Sequence, residues 1–431
     1  MEVDAERRDI WRFARYFQPQ VAAQFRLTLG EGGTPLLSVP RLARALNVGE
    51  VLLKRDDLSP GGSHKARSLA YRVSLAGQRG EPALAISSSG NAAVAAGMYG
   101  ALAGLRLFAF VSPATNPEKL RWLRRENVVI ITSPRPRNLA RYAGRLFGIP
   151  NLTPSLDDFS IEGFKSIAGE IAEQAGHVDH LFTFVTSGSS LVGMARMFSE
   201  IGGGSGQPSL SANGSDDGGT VRVESAQAGP ALHAVQAGSH PAVAGPTDRR
   251  WQRMVEAGSL GGSQIAGLLG VEDTPRAEEA RRWLETSGGY GWVALDEEIL
   301  ACRDLLAGCG IDTSPEGCAC LSAAKRARSL QVVDSRARVV IVLTGHGSQW
   351  PLTPSASSSA VAPEIRGEAP IEPDHAETCC ELPGQEHSKP QEEPPPLSQG
   401  TMVHVESYSE LRKTLGQWLP EVRNASGPRD L

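Results

Sequence analysis

Short, continuous apolar runs recur along the chain at residues 83–87, 107–111, 128–132, 181–185, 221–225 and 339–343. Unbroken rather than alternating hydrophobicity suits a strand that is covered on both faces. Between these runs, stretches of helical spacing lie at 65–76, 91–103, 117–125, 138–147, 161–174, 190–200, 296–306 and 317–329. Some open on polar residues. Asp296, Glu297 and Glu298 fill one first turn, where the positive helix end favours acids. Alternation of this kind predicts an α/β fold of mostly parallel sheets with helices on both faces.

Two segments break the rhythm. Residues 202–220 are mostly Gly, Ser, Asn, Asp and Pro and read as a flexible insertion. From about 352 to 431, Pro, Ser and Glu dominate, including Glu392-Glu393-Pro394-Pro395-Pro396. A segment with so little apolar surface does not offset its ordering entropy, so a disordered low-complexity tail is expected. Near its end, Ser407 and Glu410 have capping-box spacing, and Leu411, Leu415 and Trp418 share one helical face before Pro420. A helix over 407–419 follows. Docking on a protein partner, docking on the folded body and a solvated helix all fit it.

Composition narrows the classes. The 431 residues carry a net charge of −5, with 40% hydrophobic and 21% charged residues, enough for a large core. No broad positive field favours nucleic acid. The charged N-terminus lacks the apolar core of a secretory signal. Residues 84–105 are uncharged over a membrane-spanning length, but they are Ala/Gly-rich and contain Ser87-Ser88-Ser89-Gly90-Asn91, which fits strand, turn and helix better than a membrane span. The six cysteines form no C-x-x-C pair and no zinc spacing with histidine, so free thiols, a cytoplasmic location and no metal site are expected.

Four segments carry candidate chemistry. Lys54 to Arg67 is a turn-rich stretch that ends on Ser63, a candidate N-cap, and sets Lys65 at a helix start. The positive helix end and basic neighbours there lower an amine's pKa, as a nucleophilic or Schiff-base lysine requires. Ile86 to Ala93 runs from strand through a Ser/Gly/Asn turn into a helix, and Phe184 to Gly193 does the same through Thr186-Ser187-Gly188-Ser189-Ser190. Both present backbone donors suited to an anion, and the second is neither a P-loop nor a dinucleotide fingerprint. Val340 to Gly347 ends a hydrophobic strand in Thr344-Gly345-His346-Gly347, and sites in parallel sheets gather at such strand ends. Taken singly, each also fits a plain role: a solvated lysine, a helix cap, a connection, a strand end.

In this order and spacing, the four segments resemble the fold-type II pyridoxal-phosphate enzymes, the tryptophan synthase β-like group, and among them the threonine synthases. Leu29-Gly30-Glu31-Gly32-Gly33-Thr34-Pro35-Leu36-Leu37, Glu162-Gly163-Phe164-Lys165-Ser166-Ile167-Ala168 and the segment around Gln227 extend the likeness from about Trp11 to Pro351. The resemblance implies two lobes, a large one from 1–76 and 180–351 and a small mobile one from 77–179, with pyridoxal 5'-phosphate between them. It implies that Lys65 anchors the cofactor covalently and shuttles protons. Asn91 would face the cofactor's 3-hydroxyl, and Ser187, Gly188, Ser189 and Ser190 would enclose its phosphate. Thr344 would meet the pyridine nitrogen, a neutral partner that suits elimination and replacement. Ser88, Ser89 and Gly90 would hold the carboxylate of a small amino-acid substrate. A homodimer is implied as well.

The sequence departs from the family pattern at the substrate side. His64 and Ala66 replace the Phe and Asp that usually flank the lysine, and Ser160 stands where threonine synthases often carry a phosphate-binding Arg. Ser348-Gln349-Trp350 replaces the usual L-K-D. The resemblance therefore implies a lyase or synthase acting on an amino acid with a β- or γ-leaving group, O-phosphohomoserine to threonine being the specific case. A diverged β-eliminase or β-replacement enzyme on activated serine or threonine is the alternative. A non-catalytic relative that works through its tail is the third reading.

Overall fold

The computed structural model describes residues 1–115, 120–202, 229–238, 241–257, 265, 274–349 and 401–419. In chain order its strands are Leu36–Ser38 (β1), Glu50–Lys54 (β2), Ala83–Ser87 (β3), Arg106–Val111 (β4), Val128–Thr132 (β5), His180–Phe184 (β6), Ala231–Ala237 (β7), Gly291–Ala294 (β8), Arg338–Val342 (β9) and Met402–His404 (β10). The α-helices are Pro40–Leu46 (α1), Lys65–Gln78 (α2), Asn91–Leu102 (α3), Pro136–Phe147 (α4), Lys165–Ala175 (α5), Ser189–Ile201 (α6), Arg249–Glu256 (α7), Ala277–Ser287 (α8), Asp296–Ala307 (α9), Pro315–Ser329 (α10) and Tyr408–Gly416 (α11).

The strands form two sheets. One has the order β1-β2-β9-β6-β7-β8 and is parallel except for the antiparallel edge β1. The other, β10-β5-β4-β3, is wholly parallel. The apolar runs at 83–87, 107–111, 128–132, 181–185 and 339–343 all lie in these strands or within one residue of them. The expected α/β class is the class observed.

Two buried strands are absent from the hydrophobic pattern because polar side chains interrupt them, and a third, β8, because it is short. β2 ends in Lys54, fully buried because its ammonium meets Glu170 at 2.6 Å. β7 carries His233 and Gln236. The Nδ1 of His233 accepts from Tyr290 N and Trp292 Nε1, both at 3.1 Å. Gln236 Oε1 accepts the amides of Val243 and Ala244 at 2.8 Å. Buried polar groups satisfied in this way cost little. The four residues of β8 are too few to register as a run.

Residues 401–419 correct the expectation of a continuous disordered tail. β10 pairs in parallel with β5, Met402 opposite Ile130. Leu411, Leu415, Trp418 and Leu419 are buried in one cluster with Phe108, Phe110, Ile131 and Leu139. The guanidinium of Arg106 lies 4.7 Å above the Trp418 ring. Of the three readings of the 407–419 helix, docking on the folded body is the one observed. Half of the capping box forms: Ser407 Oγ accepts Glu410 N at 3.2 Å, whereas Glu410 Oε2 accepts Glu406 N. The 221–225 strand, nearly all of the 202–220 insertion, Gln227, residues 352–400 and the start of the 117–125 helix lie outside the described residues. The expected 161–174 helix is a 3-10 segment, Asp158–Phe164, followed by α5.

A buried ionic cluster fixes α2, the helix that Lys65 opens. Arg67 donates to Asp56 (2.8 Å), to Glu170 (2.6 Å) and to Thr34 (3.0 Å), and Lys54 closes the ring on Glu170. Burial opposes ionisation of Glu170, but Arg67 and Lys54 outweigh it and hold the carboxyl at about 2. Two cations and two carboxylates balance, which lets so polar a group sit in a core.

Candidate active site

The loop before α2 turns on two left-handed glycines, Gly61 (φ +71°) and Gly62 (φ +69°). A Cβ on Gly61 would lie 3.2 Å from Met98 Sδ of α3, so this loop is pressed against the helix that begins at Asn91. Ser63 Oγ accepts the Lys65 amide at 3.3 Å, a weak version of the expected cap, while His64 occupies the N-cap position. Lys65 is half-buried, with its ammonium 5.2 Å from the centre of the Phe164 ring. Burial lowers the amine to about 8, and the charge of Glu316 resists that drop. A free-base fraction near neutral pH is what a Schiff-base lysine needs.

Thr344 stands beside this loop. Its backbone carbonyl accepts His64 Nδ1 at 2.9 Å, Ser63 Oγ at 3.0 Å and His64 N at 3.2 Å. A carbonyl only accepts, so His64 carries its proton on Nδ1. Burial, aided by the charge of Lys65, pushes the imidazole well below its ordinary range and keeps it neutral. Ser63 and Gly345 form an isolated bridge, and Ser314 N donates to Gly345 O at 2.9 Å, which brings the start of α10 to the same strand end. The Thr344 side chain is buried there.

The two Ser/Gly turns differ in enclosure. At the end of β3, Ser88, Ser89, Gly90 and Asn91 are all half-exposed, and Ser88 Oγ accepts Gly90 N at 3.2 Å. At the end of β6, Ser187, Ser189 and Ser190 are buried. Ser187 and Ser189 hydroxyls meet at 3.0 Å, Ser189 Oγ donates to Pro154 O at 2.8 Å, and Thr274 Oγ1 donates to Ser187 O at 2.8 Å. Gly188 caps α6 at φ +82°, and a Cβ there would lie 3.0 Å from Ala280 Cβ. No side chain caps this helix, so its first amides and positive end are open to an anion.

A phosphorylated aldehyde fits this set: an uncapped helix start behind a glycine cradle, a lysine amine lowered to about 8, and a buried threonine at a strand end. The substrate-side departures have structural consequences. Ser160 turns inward, its hydroxyl donating to Asp157 O at 2.7 Å and Pro154 O at 3.2 Å, so it faces its own turn. His346 and Ser348 are exposed, with their side chains 3.1 Å apart. Among the described residues, no group of His, Cys, Asp or Glu could hold a metal ion, and no helix is long and apolar enough to cross a membrane.

Glu316 and Phe164 belong to the surroundings of Lys65 although the motifs did not single out either one for that role. Glu316 is 251 positions away in sequence, and nothing local marks it.

Comparison with known proteins adds the family. A family model described as pyridoxal-phosphate dependent enzyme matches residues 27–345. The chain is 24% identical over 358 residues to the threonine synthase of Methanosarcina acetivorans, spanning 80% of this chain and 81% of the relative. It is 27% identical over 344 residues to that of Mycobacterium leprae, spanning 78% and 87%. Among solved structures, serine racemase from Dictyostelium discoideum shares the fold at a TM-score of 0.55 and 15% identity, covering 73% of this chain and 92% of that one. O-ureido-L-serine synthase does so at 0.54 and 19%, covering 73% and 89%. On this match the chain belongs to the pyridoxal-phosphate dependent enzyme family, fold-type II, and its cofactor is pyridoxal 5'-phosphate.

Proposed function

We propose that this enzyme is a lyase or synthase that eliminates or replaces a leaving group, such as phosphate, at the β- or γ-carbon of an amino acid. Conversion of O-phosphohomoserine to threonine is the specific case. The observation that carries this reading is the Lys65 amine, lowered to about 8, on a loop whose Ser63 and His64 side chains bond the Thr344 carbonyl at the end of β9. Pyridoxal 5'-phosphate, when bound, supplies the electron sink that lets a proton leave the carbon bearing the amino group.

The chain's own residues do the rest. Lys65 would anchor the cofactor through its aldehyde, and its amine would hold or return the proton at the substrate's α-carbon and its neighbour. Ser187, Gly188, Ser189 and Ser190 would hold the phosphate at the positive start of α6, and Asn91 would face the ring's 3-hydroxyl. Thr344 would meet the ring nitrogen as an uncharged partner, which would leave the sink moderate and favour elimination and replacement over transamination. Ser88, Ser89 and Gly90 take the substrate carboxylate at the half-exposed turn. Closure of the 77–179 lobe excludes water while the proton is on Lys65. The working form is a homodimer.

A second reading, β-elimination or β-replacement on an activated serine or threonine, is favoured by Ser160, whose hydroxyl is committed to backbone carbonyls. A substrate panel separates the two. Phosphohomoserine and phospho- and acyl-serines and -threonines are incubated with the loaded enzyme, and phosphate, ammonia and amino-acid products are followed. Phosphate and threonine from phosphohomoserine support the first reading, and ammonia or substituted alanines from serine derivatives support the second. A protein that binds the cofactor and leaves every compound intact contradicts both.

A further inference from the structure

Beside the 187–190 turn, two arginines converge on Asp157, one on its carboxylate and one on its main-chain carbonyl. Arg72 lies seven residues along α2 from Lys65, hence on the same helical face, and donates Nε to Asp157 Oδ2 at 2.9 Å. Arg276, just before α8, donates Nη2 to Asp157 O at 2.7 Å and to Asp158 Oδ1 at 3.0 Å. The side chains of Arg72, Asp157 and Arg276 are 5%, 5% and 7% exposed, whereas that of Asp158 is 90% exposed and screened by water. Arg72 thus has a buried counter-charge in Asp157, whereas the carboxylate that pairs with Arg276 lies in water. This differs from the ring around Arg67, where the charges balance.

Hydrogen bonding is incomplete in the same place. Arg72 Nη1 and Arg276 Nε are both buried without a partner. Phe159 covers Arg72 at 5.6 Å but brings no negative charge. Glu162, the next carboxylate along the chain, is taken by Lys165 Nζ and Gln18 N, each at 2.9 Å. A buried guanidinium that keeps an unused donor and whose paired carboxylate lies in water, as at Arg276, calls for an anion. The position says which region that anion shares. The Arg276 carbonyl lies 3.7 Å from where a Gly188 Cβ would stand, and Ser189 Oγ donates to Pro154 at the head of the turn that carries Asp157.

We propose that Arg72 and Arg276, steadied by Asp157, form an anion subsite next to the 187–190 cradle that takes a phosphate group through charge-assisted hydrogen bonds. The assignment rests on the proposed reading that this cradle borders the reaction site. The phosphate has two sources, the substrate's leaving group or the cofactor itself, and both are read by one set of titrations. Inorganic phosphate is titrated calorimetrically into the protein loaded with pyridoxal 5'-phosphate. Separately, the stripped protein is titrated with pyridoxal 5'-phosphate and with pyridoxal, followed by absorbance.

If the subsite serves the substrate, the loaded protein binds inorganic phosphate, and Arg276→Gln and Arg72→Gln each weaken that binding about ten- to a hundredfold while cofactor affinity holds. If it serves the cofactor, the same variants weaken capture of pyridoxal 5'-phosphate by that factor and leave pyridoxal unchanged. Arg276→Lys keeps the charge and protects the fold while losing the planar fork, so it shows a smaller loss in the same titration. Folded variants that match the wild type in every titration overturn the subsite. So does a loaded wild type that binds no phosphate combined with an Arg276→Lys variant of unaltered cofactor affinity. A protein that captures no cofactor at all contradicts the proposed function instead, a separate result.

Discussion

The turns at 87–91 and 187–190 are written in almost the same residues, yet they are built to opposite ends. The second is finished before any ligand arrives. Its serines are buried and tied to Pro154 and to one another, and Gly188 sits at φ +82° with no room for a side chain. The first is open, with Ser88 to Asn91 half-exposed and nothing within 4 Å of where a Gly90 Cβ would stand. A rigid cradle suits a group that stays, and an open turn suits one that comes and goes. Small residues after a strand announce an anion-binding turn, but only the packing behind them tells a resident ligand from a passing one.

Removing the Lys65 amine has the largest expected effect: Lys65→Ala abolishes the near-visible absorbance of the bound cofactor and all turnover while the fold survives. Next comes the sheet under the open turn. Leu411→Ala empties a fully buried position between α11 and the β10-β5-β4-β3 sheet and is expected to cost about 2–4 kcal/mol of unfolding free energy in denaturant. Gly188→Ala imposes a left-handed alanine against Ala280 and should weaken the cofactor about tenfold in an equilibrium titration. Gly90→Ala, with open space and φ −114°, should leave that affinity unchanged and alter only the substrate's KM. Equal effects at the two glycines would erase the contrast.

The gentlest probe is pH. Only the unprotonated amine attacks an aldehyde, so cofactor capture should rise about tenfold per pH unit and level off above about 8, where the Lys65 amine is half free. A solvated lysine would keep rising to about 10.4.

Much of this was legible in the sequence because it is local. β3 and β5 coincide with the apolar runs at 83–87 and 128–132, and the start of α2 at Lys65 follows its turn-rich approach. What was hidden depends on partners far along the chain. β2 hides its identity behind Lys54, which is buried only because Glu170 is there to receive it. β10 is three residues long and gains its place from β5, more than 250 positions earlier. The Arg72–Asp157–Arg276 group joins three elements that share no motif. The Ser160 departure was visible as a missing arginine, but its inward hydroxyl bonds were not.

The covalent role of the Lys65 amine can be read directly. The protein loaded with pyridoxal 5'-phosphate is reduced with borohydride, digested and mapped by mass spectrometry. A single pyridoxyl-phosphate adduct on the peptide containing Lys65 is the predicted result. An adduct on Lys54, Lys165 or another lysine, or none at all after reduction, would contradict it.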